Sequence, residues 1–134
     1  MSGNLNALKQ YQSVDLRATI ETASPHKLIS MLLDGLLGAL AKAKGGIERE
    51  SIEERTAQLN KASEIVVGLK GSLDQEKGGE LSGNLDSLYD YMIRAIYEAN
   101  RNNDAEKVQE VMNLALELKQ GWSGMPPEIQ SGDA

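Results

Sequence analysis

The stretch IEERTAQLNKASEIVVGLKGSL, residues 52–73, sets Ile52, Thr56, Leu59, Ala62, Val66, Leu69 and Leu73 at alternating three- and four-residue steps. That spacing lines one face of an α-helix and fits no strand, whose faces alternate every second residue. Downstream, Lys77-Gly78-Gly79 interrupts the pattern, and Leu81, Leu85, Leu88, Met92, Ile96 and Ala99 resume it as a further helix. Asn102-Asn103-Asp104 ends that helix, with Asp104 placed to cap a last one carrying Val108, Val111, Ala115, Leu118 and Trp122. Upstream, Ser24-Pro25 is a start signal: serine caps free amides, and proline fits the first helical position, where its missing N–H is not needed. The helix it opens carries Leu28, Met31, Leu32, Leu36, Ala39 and Ala43, with a second stripe at Ile29, Leu33, Leu37 and Leu40, and is expected to end near Gly45-Gly46. The acidic run from Glu48 to Glu54 reads as a solvated helix start, where carboxylates favour the positive end of the dipole.

Short links cannot carry a chain back along a bundle, so consecutive helices must run antiparallel. The expected fold is all-α: an up-down-up-down four-helix bundle over residues 24–122. A short N-terminal arm or helix, residues 1–23, precedes it as a mobile cap, with Leu5, Leu8 and Tyr11 at three-residue spacing. Residues 123–134, with Pro126-Pro127, form a flexible tail. The chain has no phenylalanine, so aliphatic side chains and methionine must fill the interior.

At 134 residues, with 40% hydrophobic and 25% charged residues, the chain has material for one core and little room for a second. Twenty acidic against 14 basic residues give a net charge of −6, a field that repels a phosphate backbone, so nucleic acid is not an expected partner. With no cysteine, there is neither a disulfide nor a thiolate ligand or nucleophile, which fits a reducing compartment. The first residues lack a basic segment followed by an apolar one, and the most apolar stretch, Leu28 to Ala41, contains Asp34 and is too short to span a bilayer. Neither secretion nor membrane insertion is expected, and the reading places the protein in the cytosol.

Residues suited to chemistry are few. His26 is the single histidine, so a metal centre or catalytic dyad would need to be built from it and carboxylates alone; no metal, cofactor or catalytic residue is expected. The Glu-x-x-His pattern of di-iron bundles is absent, because position 23 is alanine. A histidine-phosphotransfer bundle needs an exposed mid-helix histidine, whereas His26 falls in the first helical turn. Lys77-Gly78-Gly79-Glu80 lacks the spacing and the preceding strand of a phosphate loop.

The informative feature is a surplus. Ile65 and Val67, Ile93 and Tyr97, and Met112, Leu114 and Leu116 lie off the main stripes and cannot all face one core. Two readings are open: partial burial at helix edges, or a surface for a partner helix or a second copy of the chain.

The ordered set Ala23-Ser24-Pro25-His26-Lys27-Leu28-Ile29, Met31-Leu32 and Asp34-Gly35, then Leu73-Asp74-Gln75-Glu76-Lys77-Gly78-Gly79-Glu80, Asn84-Leu85 and Leu88-Tyr89-Asp90-Tyr91-Met92, then Ala99-Asn100 and Trp122, resembles the flagellar secretion chaperone FliS family. The resemblance runs from about Tyr11 to Trp122. It implies a non-enzymatic bundle in the bacterial cytosol that binds the disordered C-terminal segment of flagellin, prevents premature polymerisation, and delivers it to a gate component of the flagellar type III export apparatus. It further implies that Leu8 and Tyr11 of the arm cover part of the groove and move aside for flagellin. Ile29 and Leu33 on the first helix, Ile65 and Leu69 on the second, and Met112 and Leu116 on the fourth are the expected groove floor and walls. Tyr89 and Tyr91 could add hydroxyl contacts, while Trp122 seals the bundle end. The alternatives are a self-associating bundle, homodimeric without ligand, and a phosphotransfer domain using His26.

Overall fold

The computed structural model describes residues 25–73 and 75–124; the expected arm and most of the expected tail lie outside them. Four helices follow one another: α1 Pro25–Glu48, α2 Ile52–Gly71, α3 Gln75–Asn102 and α4 Ala105–Ser123. Cross-links fix their antiparallel order. On α2 and α3, Arg55 bonds Asn100 while Lys70 bonds Asp86 and Asp90, so numbers fall on one helix as they rise on the other. On α1 and α4, Lys44 bonds Gln109, Asp34 bonds Lys119, and His26 meets Trp122. Each of α1 and α3 packs against both α2 and α4, which closes the up-down-up-down four-helix bundle.

The core takes the middle of each stripe, while Ile52 and Leu81 at stripe ends are exposed and Leu28, Met31 and Leu32 only half-buried. Leu36 and Leu40 of α1, Leu59, Val66 and Leu69 of α2, Met92 and Ile96 of α3, and Val108 and Val111 of α4 are all buried. Removing such side chains from water stabilises the fold by roughly 1.5–3 kcal/mol each before entropy is counted. Buried Ala39, Ala43, Ala62, Ala95, Ala99 and Ala115 lie between them, and their small volume lets helix axes come close.

The helix ends depart from the sequence reading in one instructive way. Gly45-Gly46 does not stop α1, which runs on to Glu48. Gly46 is there for proximity: a Cβ on it would lie 2.8 Å from the backbone nitrogen of Arg55 on α2. The left-handed residue that ends the helix is Glu50, at φ 57. Around it the Ser51 N–H donates to the Gly46 carbonyl at 2.8 Å and the Glu50 N–H to the Ile47 carbonyl at 3.1 Å, the paired bonds of a Schellman ending. Ser51 then caps α2, its hydroxyl accepting from the Glu54 N–H at 3.2 Å. The α3–α4 link repeats the design where the sequence placed it: Asn103 is left-handed at φ 53, and the Asp104 side chain accepts from the Lys107 N–H at 3.1 Å. The break expected at Lys77-Gly78-Gly79 is present: Gly79 is non-helical at φ 54 and ψ −126, and it parts a short helical segment beginning at Gln75 from the long remainder of α3.

Two substitutions separate these glycine roles. Gly46→Ala is expected to destabilise the bundle by about 1–3 kcal/mol, because the atom it meets is backbone and cannot swing away. Glu50→Gly is expected to stabilise it by up to about 1 kcal/mol, by relieving the left-handed backbone of a residue that carries a Cβ. Urea unfolding of both variants checks the pair; a neutral Gly46→Ala would show that α1 and α2 do not need this approach.

Candidate functional site

The surface on either side of α1 is built by three polar ties and the apolar residues between them. Toward α4, Lys44 Nζ donates to Gln109 Oε1 at 2.8 Å, and Lys119 pairs with Asp34 about three turns away. Leu37 stands three residues after Asp34 and seven before Lys44; Met112 and Leu116 stand in the same relation between Gln109 and Lys119. Seven residues are nearly two full turns, so all three follow the α1–α4 seam. Leu37 and Met112 are half-buried and Leu116 is 42% exposed. The third tie closes the end of the seam: Trp122 Nε1 donates to the His26 carbonyl at 3.0 Å, and the two rings stack with centroids 5.5 Å apart.

Toward α2 the seam is tighter. A Cβ on Gly35 would sit 3.4 Å from Ile65 Cδ1, so Ile65 lies over α1, half-buried, where that helix carries no side chain.

The eight residues expected to bind a partner therefore fall in different settings. Leu8 and Tyr11 lie outside the described residues. Leu33 is 2% and Leu69 0% exposed, so both sit within the core, beneath any surface. Ile29, Ile65 and Met112 are half-buried against it, and Leu116 is exposed. Ile65 belongs to the α1–α2 seam and Met112 and Leu116 to the α1–α4 seam, so α1 runs between two apolar edges and no single groove collects all of them. Leu37 belongs beside Met112 and Leu116. Its signal was present in the second stripe of the first helix, but that stripe splits, with Leu33 and Leu40 buried and Ile29 and Leu37 at the edge.

Tyr89 is buried in the core, and burial raises its hydroxyl pKa. Tyr91, half-buried, donates from its hydroxyl to Glu110 on α4, which also accepts from Lys107 Nζ at 3.3 Å. The Tyr91 hydrogen bond, with help from Lys107, holds the Glu110 pKa below the ordinary carboxylate value, although partial desolvation opposes it. On α2, the bonds to Asp90 and Asp86 raise the Lys70 pKa.

No group of three or more histidine, aspartate or glutamate side chains able to hold a metal forms among the described residues. The His26 Nε2 is buried and has no hydrogen-bond partner among them, and the residue lies in the first turn of α1, not at the mid-helix position a phosphotransfer histidine takes. No helix among the described residues is long and apolar enough to cross a membrane.

Comparison with known proteins connects the chain to a family. Residues 7–128 match the family described as flagellar protein FliS. The chain is 49% identical over 121 residues to the flagellar secretion chaperone FliSB of Pseudomonas aeruginosa, covering 90% of this chain and 96% of that one. It is 41% identical over 124 residues to the flagellar secretion chaperone FliS of Salmonella typhimurium, covering 92% of each. With its Vibrio cholerae counterpart it shares 35% identity over 131 residues, 98% of this chain and 94% of the relative.

The Tyr91–Glu110 bond carries a pH signature. Because the folded-state pKa of Glu110 is depressed, the contribution of the bond is present above the unfolded carboxylate pKa and is lost as pH falls through the folded one. Tyr91→Phe is therefore expected to lower the urea midpoint at neutral pH and to converge on the parent protein once the carboxylate is protonated. A gap that stays constant across that range would assign the loss to packing instead.

Proposed function

Because the chain belongs to the FliS family of flagellar secretion chaperones, we propose that it binds the disordered C-terminal segment of flagellin in the cytosol, keeps it from polymerising, and hands it to a gate component of the flagellar type III export apparatus. The observation that carries the reading is the pair of apolar edges beside α1. Ile65 on one side and Leu37, Met112 and Leu116 on the other remain half-buried or exposed in a bundle whose core is already filled.

A flagellin terminus that orders only on assembly exposes amphipathic stripes beforehand, and such stripes dock into grooves between helices through apolar side chains at helical spacing. An extended client laid along both seams would bury a large apolar area. The cost of ordering it offsets part of the gain, so release needs no chemical step or nucleotide. In this reading Leu116, Met112, Ile65 and Ile29 touch the client, while Leu33 and Leu69 hold the seams from beneath. Leu8 and Tyr11 occupy part of the same surface until the client displaces them.

The test is calorimetric titration of the chain with a peptide spanning the C-terminal segment of its cognate flagellin, with light scattering to count chains. The expected result is a one-to-one complex with a strongly negative heat-capacity change. Ile65→Glu and Leu116→Glu should each weaken it by about ten-fold or more, equivalent to roughly 1.4 kcal/mol, while helicity is unchanged. Absence of a complex with folded protein and a matched peptide would remove flagellin as the client and leave self-association as the use of these edges.

A further inference from the structure

The opposite side of the bundle carries a second apolar line. Thr56 and Arg55 bond Asn100 at 3.2 and 2.9 Å, and Lys70 bonds Asp86 and Asp90 at 3.2 Å each. These two polar bridges tie α2 to α3 about 21 Å apart along α2. Val67 lies eleven residues after Thr56 and three before Lys70; Tyr97 lies seven after Asp90 and three before Asn100. Helical spacing therefore places both on the α2–α3 seam between the bridges, with Ile93 one turn from each of Asp90 and Tyr97. Val67 is 54% and Tyr97 70% exposed, and Ile93 is half-buried. Ser63, one turn before Val67, supplies only a short side chain there. Apolar side chains that share one seam, in contrast to ones scattered singly, are a feature of interaction sites.

The charges around the line differ between its ends. Among the described residues near Val67 stand Glu64, Asp86 and Asp90 with Lys70, which pairs with both aspartates. Arg94, the basic residue nearest in sequence on α3, leans away with its guanidinium carbon 6.0 Å from the centre of the Tyr91 ring on the α4 side. Beyond Tyr97 the seam carries Arg101, exposed on the last turn of α3. We propose that the α2–α3 seam is a second docking site, separate from the client edges beside α1, for an amphipathic helix that lays apolar residues on Val67, Ile93 and Tyr97 and sets basic residues against Asp86 and Asp90.

The occupant is fixed by that complementarity. Two carboxylates sharing one ammonium leave a net negative charge at one end of an apolar line, which a basic helix terminus satisfies and an acidic one opposes. A second copy of this chain is disfavoured there, because an isologous contact on an acidic patch would bring like charges together.

The experiment uses the full chain labelled with nitrogen-15 and two amphipathic peptides of about 14 residues, the length of the seam. The peptides are identical except that one carries lysines in the terminal turn and the other glutamates. The lysine peptide is expected to shift the amide resonances of Gly68, Ile93 and Tyr97. It should bind about five-fold more tightly than the glutamate peptide, the size of one exposed charge pair at about 1 kcal/mol. Val67→Glu and Tyr97→Glu, both on exposed positions, should abolish the shifts without loss of helicity, and prior saturation with a flagellin C-terminal peptide should leave them in place. Equal binding of both peptides, or shifts confined to Leu37, Met112 and Leu116, would overturn the proposal. Shifts at the seam that change on simple dilution would give it to a second copy of the chain, and loss of the lysine-peptide shifts on flagellin saturation would give it to the client.

Discussion

Arg55 is the residue on which the assembly of this bundle depends. Its backbone nitrogen lies where a side chain on Gly46 would have to be, so α1 and α2 can meet at their shared end only because position 46 carries hydrogen. The same residue reaches the other way, its guanidinium donating to Asn100 at 2.9 Å and to Asn103 at 2.7 Å. Asn103 is the left-handed residue that ends α3, and Asp104 beside it caps α4. One residue thereby sets the spacing of the first pair of helices and anchors the turn between the last pair. A shift of its backbone would be felt at both connections, since packed helices move as units and not by continuous deformation.

Much of this was written in the periodicity. On α2 the middle of the stripe, Leu59, Ala62, Val66 and Leu69, is the buried face, while Ile52 at its start is 67% exposed, and the Asp104 cap falls where the sequence puts it. What periodicity could not supply was the neighbour. It gives an angle around one helix axis, and whether that angle meets the core or a seam depends on where the adjacent helices stand. Leu33 and Leu37 share a stripe yet differ in burial because only one of them points toward the centre of four helices. Tyr89 and Tyr91, two residues apart, part in the same manner: one is enclosed, while the other lies on the α3–α4 side bonded to Glu110. Glycine was misread for a related reason. A stop signal and a close approach look alike in sequence, and the difference at Gly46 lies in Arg55, nine residues away.

The seams differ in kind, and this bears on binding. Beside α1 the apolar edges are flanked by neutral or balanced ties, Lys44 with Gln109 and Lys119 with Asp34. Such edges accept a long apolar stripe without demanding a particular charge. Between α2 and α3 the flanking charge is unbalanced, with two aspartates on one lysine, which favours selection among partners over bulk affinity. The antiparallel bundle thus supplies two kinds of surface, one on the seams of α1 and one on the seam between α2 and α3.

The stack of His26 on Trp122 ties the first turn of α1 to the last turn of α4, and it does so with the single tryptophan of the chain. The molecule therefore carries its own optical reporter at the end of the bundle where α1 begins and α4 closes. Emission from the indole depends on the imidazole lying against it and on the carbonyl it bonds. Any rearrangement that parts the first turn of α1 from the last turn of α4 would be legible in the intrinsic fluorescence of the unmodified protein, without a dye and in real time.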